Sequence, residues 1–254
     1  MPTILMMFGM VSVDMKLYTI GGQTDFVVTN SCQTFDTKSA KNQWIGCPSM
    51  TIKRTYIDAV VLNNTIYVCG GVDGFIFNSC EYYSPETDGS QWQSTTPMNR
   101  ERSGSALVAH DGYLYAIGGA NHFHENSMEK YDPITKQWTL MANMNHTRSF
   151  FGSVSFRGKI YVCGGHNIFD EKTCESYDPE TNQWTQIASM LNARTDFKLV
   201  AFNNSLLALG GISGYDIADT VDTIEIYDLK TNKWSQSSSL SMPTKLFGYG
   251  VTVM

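Results

Sequence analysis

Short apolar runs of about five residues alternate with polar turns along the whole chain, and no stretch keeps the spacing of an amphipathic helix. Five of these runs end in two glycines: "LYTIGG" at Leu17–Gly22, "IYVCGG" at Ile66–Gly71, "LYAIGG" at Leu114–Gly119, "IYVCGG" at Ile160–Gly165 and "LLALGG" at Leu206–Gly211. Ahead of each lies a small-residue and β-branched run, separated from it by a turn such as "NN" at 63–64, "DG" at 111–112 or "RG" at 157–158. Two apolar runs about a tight turn predict a β-hairpin, strands A and B. A polar loop follows, then runs such as "NSMEKYDP" (126–133) and "KTCESYDP" (172–179), which predict strand C closed by an Asp-Pro turn. Strand D carries a tryptophan, as in "KQWTLMANM" and "NQWTQIASM".

The unit is periodic. The first glycine of each pair stands at 21, 70, 118, 164 and 210, and the tryptophans are Trp44, Trp92, Trp138, Trp184 and Trp234. From each of the first four tryptophans to the next glycine pair is 26 residues, whereas the distance from a glycine pair to its tryptophan varies from 20 to 24. A fixed period in this range marks a repeat architecture. One sheet of under fifty residues cannot bury both faces, and stacking such sheets about an axis can, so the predicted fold is an all-β propeller. It comprises five four-stranded blades at about 5–49, 50–97, 98–143, 144–189 and 190–239, plus one extra C-terminal strand at 244–254, in a single domain spanning 1–254. The five tryptophans are expected at equivalent buried positions.

Charge and cysteines narrow the function classes. The formal net charge is −6 and there is no Lys/Arg block, which argues against nucleic acid and anionic membranes as partners. The apolar N-terminus has neither a basic n-region nor a small-residue cleavage site, so a cytoplasmic protein is expected. The six cysteines include two pairs spaced by 11 residues, Cys69/Cys80 and Cys163/Cys174. Disulfides fit that spacing. Four of the six, however, stand where other repeats have Ile, Leu, Met or Thr, and free buried thiols are the expectation.

The pattern Y-x-x-GG, E-x-Y-D-P, N-x-W and M-x-x-x-R closely resembles the kelch repeat, in five copies over nearly the whole chain. Its last element is Met50/Arg54, Met98/Arg102, Met144/Arg148 and Met190/Arg194. The chain most resembles metazoan kelch-like proteins, which join BTB and BACK domains to a six-bladed propeller. The resemblance implies a substrate receptor of a cullin-3 ubiquitin ligase, with cullin-3 reached only through domains absent from this sequence. Actin binding is the alternative. Relative to that family the sequence reads as a propeller lacking its first three strands, with a true five-blade ring as the competing reading.

Residues that recur in every repeat belong to the scaffold; those that vary are candidates for recognition. The variable segment holds the B–C loops, which share one face with the D–A connections. Each B–C loop has an aromatic four residues past the second glycine: Phe26, Phe75, Phe123, Phe169 and Tyr215. These are either anchors for a bound peptide or rings packed under their own loops. His122, His124, His166 and Asp216 stand beside them and differ between repeats. Arg54, Arg102, Arg148 and Arg194 open strand A on the same face. They suit an acidic peptide, or they pair within the scaffold with the recurring Glu81, Glu129, Glu175 and Glu225. Repeat one has Leu5 in place of the arginine. His122, His124 and His166 form the only metal-like cluster, without a recognisable ligand motif. Neither a phosphate loop, a nucleophile elbow nor HExxH occurs. The expectation is a non-enzymatic protein- or peptide-binding module without a cofactor.

Overall fold

Two-residue turns set the frame. Each A–B connection has positive φ at both central residues: Asp14–Met15, Asn63–Asn64, Asp111–Gly112, Arg157–Gly158 and Asn203–Asn204. That is the type I′ geometry whose twist matches the flanking strands, which explains the run of Asn, Asp and Gly at these sites. The computed structural model describes residues 5–169, 171–214 and 219–242. Among them are five four-stranded antiparallel sheets, each ordered A-B-C-D, and no α-helix. The first sheet is Gly9–Val13, Lys16–Ile20, Cys32–Asp36 and Trp44–Cys47. The second is Asp58–Leu62, Thr65–Cys69, Cys80–Tyr83 and Gln93–Thr95. The third is Ala106–His110, Tyr113–Ile117, Met128–Asp132 and Gln137–Met141. The fourth is Gly152–Phe156, Lys159–Cys163, Cys174–Asp178 and Gln183–Ile187. The fifth is Lys198–Phe202, Ser205–Leu209, Thr223–Asp228 and Lys233–Ser241. The expected extra strand at 244–254 lies outside the described residues.

The chain divides into two compact units, one holding the residues up to Ala116 with Glu129–Thr139, the other Ile117–Met128 with the residues from Leu140 to Tyr249. In the first unit a core of Val11, Tyr18, Ile20, Met50, Ile66, Val68 and Trp92 joins repeats one and two. In the second, Cys163, Cys174, Met190, Phe197, Leu199 and Trp234 do the same for repeats four and five.

The paired glycines are the joint between successive repeats. Gly118 has φ +56°, and a Cβ there would stand 2.7 Å from the carbonyl oxygen of Arg148. The next residue, Gly119, donates its N–H to that same oxygen at 2.9 Å. The same bond runs from Gly22 to Arg54, Gly71 to Arg102 and Gly165 to Arg194. A side chain at the first glycine would push the neighbouring backbone away, and positive φ is costly for other residues.

Two expectations need correction. The tryptophans do occupy equivalent places: each packs against an aromatic of its own strand C, from Phe35–Trp44 to Tyr227–Trp234, with ring centroids 5.0–5.5 Å apart. Trp92, Trp138, Trp184 and Trp234 each donate the indole N–H to a carbonyl of the preceding repeat. However, only Trp92 and Trp234 are buried, while Trp44, Trp138 and Trp184 are half-exposed, because strand D is the sheet's outer edge.

The cysteines are not free thiols. Cys32–Cys47, Cys69–Cys80 and Cys163–Cys174 are disulfides. Strand register places the members of each pair directly opposite one another, at Cα–Cα distances of 5.2, 4.2 and 4.2 Å. Two cysteines on one face of adjacent strands at that separation are within bonding reach. Reading each as a lone small hydrophobe missed the pairing.

Candidate functional site

The B–C loops of repeats one to three are themselves small hairpins. Gln23–Thr24 pairs with Val27–Val28, Val72–Asp73 with Phe75–Ile76, and Ala120–Asn121 with Phe123–His124. Their tips carry positive φ at Asp25, Phe26, Gly74 and His122. Along such a ribbon, side chains alternate in direction. Ile76 and His124 are half-buried, and the phenylalanine before each points to solvent.

In the first unit Phe26 is 88% exposed, Phe75 80%, and Val27 stands beside Phe26 on the same exposed tip. In the second, Phe123 is 80% and Phe169 70% exposed, next to the exposed Ile168. The alternative in which each ring packs under its own loop therefore fails at four of the five loops. Tyr215 and Asp216, the candidates of the fifth loop, lie outside the described residues.

The histidines knit loops three and four. The rings of His124 and His166 meet edge to face, 5.2 Å between centroids. His124 Nδ1 is 3.0 Å from Ser149 Oγ, and Ser149 exchanges backbone hydrogen bonds with His166. Burial, with His166 adding to it, pulls the His124 pKa below its ordinary value, so the neutral ring is favoured. His122 is exposed at the tip. Among the described residues no group of three or more His, Cys, Asp or Glu could hold a metal ion.

The arginines take the other of their two predicted roles. Arg54, Arg102, Arg148 and Arg194 are 0% exposed, so as placed they cannot touch a partner. Arg148 Nη1 donates to the carbonyls of Gly164 (2.6 Å) and Thr173 (3.1 Å), and its Nη2 donates to Thr173 Oγ1 (3.1 Å) and Glu175 Oε1 (2.9 Å). Arg54 repeats the set on Gly70, Ser79 and Glu81, and Arg194 on Gly210, Thr223 and Glu225. Arg102 pairs with Glu129 at 3.0 Å. Each guanidinium thus ties the end of strand B to the start of strand C. Each glutamate in turn accepts backbone N–H groups of the preceding D–A connection; Glu175 takes those of Asn145 and His146. Burial opposes ionisation of Glu175, but these bonds and Arg148 outweigh it and hold its carboxyl below the usual range. Burial pushes the Arg148 pKa down, with Glu175 opposing the shift. The case for an acidic ligand rested on these arginines and loses that support.

A frame of repeated sheets with variable hairpins at one end defines a class: a β-propeller whose loops vary on a fixed scaffold. The comparisons agree. A solved structure titled "Structure of YjhT" matches with a TM-score of 0.86, over 99% of this chain and 88% of its own, at 14% identity, a likeness that speaks for the fold alone. Residues 2–165 match the KLHDC2/KLHL20/DRC7 Kelch-repeats domain, and residues 147–191 and 193–241 match the kelch motif. The chain belongs to the kelch-repeat family, as an all-β propeller of five four-stranded blades. An F-box/kelch-repeat protein of Arabidopsis thaliana is 38% identical over 63 residues; the match spans 25% of this chain and 16% of that relative. Kelch propellers generally serve protein interaction and are typically non-enzymatic. No helix among the described residues is long and apolar enough to cross a membrane.

Proposed function

We propose that this chain is a protein- or peptide-binding module that engages its partner through the B–C loop hairpins. The observation that carries the reading is the exposure of Phe26, Phe75, Phe123 and Phe169 at loop tips. A large ring held in water on a positioned hairpin gains nothing for folding, and aromatic anchors dominate binding energies when a partner covers them. In the second unit the exposed Phe123 adjoins His124 in the chain, the exposed Ile168 and Phe169 follow His166, and the two imidazoles are in contact. Binding, rather than turnover, is the use such exposed groups support.

Among finer readings, the substrate-recognition propeller of a cullin-3 adaptor follows from the sequence resemblance, with cullin-3 recruited through domains outside this sequence. Actin binding is the competing reading. As to compartment, the cytoplasmic setting expected from the N-terminus conflicts with three disulfides, which persist in oxidising surroundings and open in reducing ones.

The test compares proteins captured by the wild type and by Phe123→Ser/Phe169→Ser at equal folded concentration. Loss of specific captures from the variant supports the aromatic surface, and an unchanged profile refutes it. Co-sedimentation with filamentous actin, abolished by the same substitutions, would select the cytoskeletal reading.

A further inference from the structure

Repeat one contains the arginine socket without the arginine. The isolated bridges fix the alignment: Met6↔Gln23 in repeat one matches Thr55↔Val72, Ser149↔His166 and Thr195↔Ile212. Leu5 therefore stands where Arg54, Arg148 and Arg194 stand. Strand register carries the match to the acceptors. Gln33 faces Thr19 as Glu81 faces Val68, and the N–H of Gly21 bonds Ser31 as that of Gly70 bonds Ser79. Ser31 and Gln33 are thus the counterparts of Ser79 and Glu81, which hold the Arg54 guanidinium. Both partners of the buried ion pair have changed together, Arg to Leu and Glu to Gln.

The change leaves space. A cleft of about 430 Å³ is lined by Leu5, Ser31 and Gln33 from the socket and by Thr24, Asp25, Val27 and Thr29 from the adjoining hairpin. In repeat two the same place is filled by a fully buried Arg54. Ser31 and Gln33 line the cleft at the positions of Ser79 and Glu81, whose oxygens take Nη1 and Nη2 in repeat two, and the exposed Asp25 lines it as well. Acceptors arranged for a planar fork of N–H donors select guanidinium over a compact ammonium.

We propose that this cleft binds a guanidinium group supplied from outside, the arginine side chain of a partner peptide, seated on Ser31 and Gln33 with Asp25 beside it. The inference rests on the cleft alone, and stands or falls apart from the aromatic loop surface.

The probe is the tripeptide amide Ac-Ala-Arg-Ala-NH2, titrated by NMR against the full chain, with the citrulline and lysine tripeptides as controls. Binding is expected to shift the amide signals of Leu5, Ser31 and Gln33. The neutral citrulline peptide should bind about tenfold more weakly, the worth of one charge-assisted contact. Gln33→Glu should tighten the arginine peptide several-fold, and Gln33→Leu should weaken it. Leu5→Arg should fill the cleft from within and abolish binding with no drop in melting temperature; should that variant not fold, Gln33→Leu and Gln33→Glu still decide. Equal binding of arginine and citrulline peptides, shifts confined to other residues, or no effect of either Gln33 substitution would overturn the proposal.

Discussion

The arginines and the loop phenylalanines recur with the same beat and stand on the same side of the repeat, yet they meet opposite fates. Arg148 is sealed at 0% exposure among four acceptors, while Phe169, in the loop just before its glutamate's strand, stands 70% in water. Hydrophobicity alone predicts the reverse. The arginine is buried because the end of strand B and the start of strand C bring two carbonyls, a hydroxyl and a carboxylate together, which a forked cation can satisfy at once. The phenylalanine is exposed because it stands on a short loop that projects from the sheet; in the paired loops of repeats two and three the next residue, Ile76 or His124, turns inward instead. Recurrence left both open between scaffold and recognition, and only the local backbone separated the buried position from the presented one.

The sharpest way to break that contrast is to remove one member of a buried pair. Arg148→Ala or Glu175→Gln should each cost about 3–5 kcal/mol in urea unfolding, since each strands the other buried group. A double-mutant cycle between them should show coupling above about 1 kcal/mol. Unfolding midpoints that stay at the wild-type value would return the arginines to the candidate surface.

Opening the disulfides should come next. Thiol titration of the unfolded protein is expected to find none of the six cysteines free before reduction and all six after it. By the chain-entropy account, each bridge contributes roughly 2–4 kcal/mol, so reduction should lower the melting temperature clearly. Six reactive thiols in the unreduced, unfolded protein would restore the free-cysteine expectation.

Acid sharpens the comparison through Glu175. Its folded carboxyl titrates below the usual glutamate range, so its contribution is present above the unfolded-state pKa and is lost as pH falls through the folded one. Stability measured by urea unfolding should decline over that acid window, and Glu175→Gln should flatten the decline. An unaltered pH profile in the variant would remove this carboxylate from the account.

The smallest effect belongs to the tips. Phe75→Ala and Phe123→Ala should change stability by no more than about 0.5 kcal/mol, because the rings bury little. A loss of several kcal/mol on chemical unfolding would mean that the rings pack after all.

Sequence by itself determined the repeat. The glycine and tryptophan spacing set five sheets and their strand order, because a four-strand unit that cannot bury its own faces must copy its joints to stack. The A–B hairpins and the paired glycines at the end of strand B were legible for the same reason, whereas the partner and exposure of each tryptophan were not. Tertiary structure alone decided what each recurring side chain does. Arg54 could as well have faced a peptide as Glu81, for both need a forked donor, and only the packed ends of strands B and C show which took it. Strand register paired the cysteines, which spacing left open between disulfide and thiol. The loop conformations turned the phenylalanines outward. Leu5 was visible in the sequence as a missing arginine; the cleft it lines came into view only when the register set Gln33 opposite Thr19. Short-range patterns are written in the chain because turns and pleats are local, whereas exposure, pairing and vacancy depend on what another repeat brings alongside.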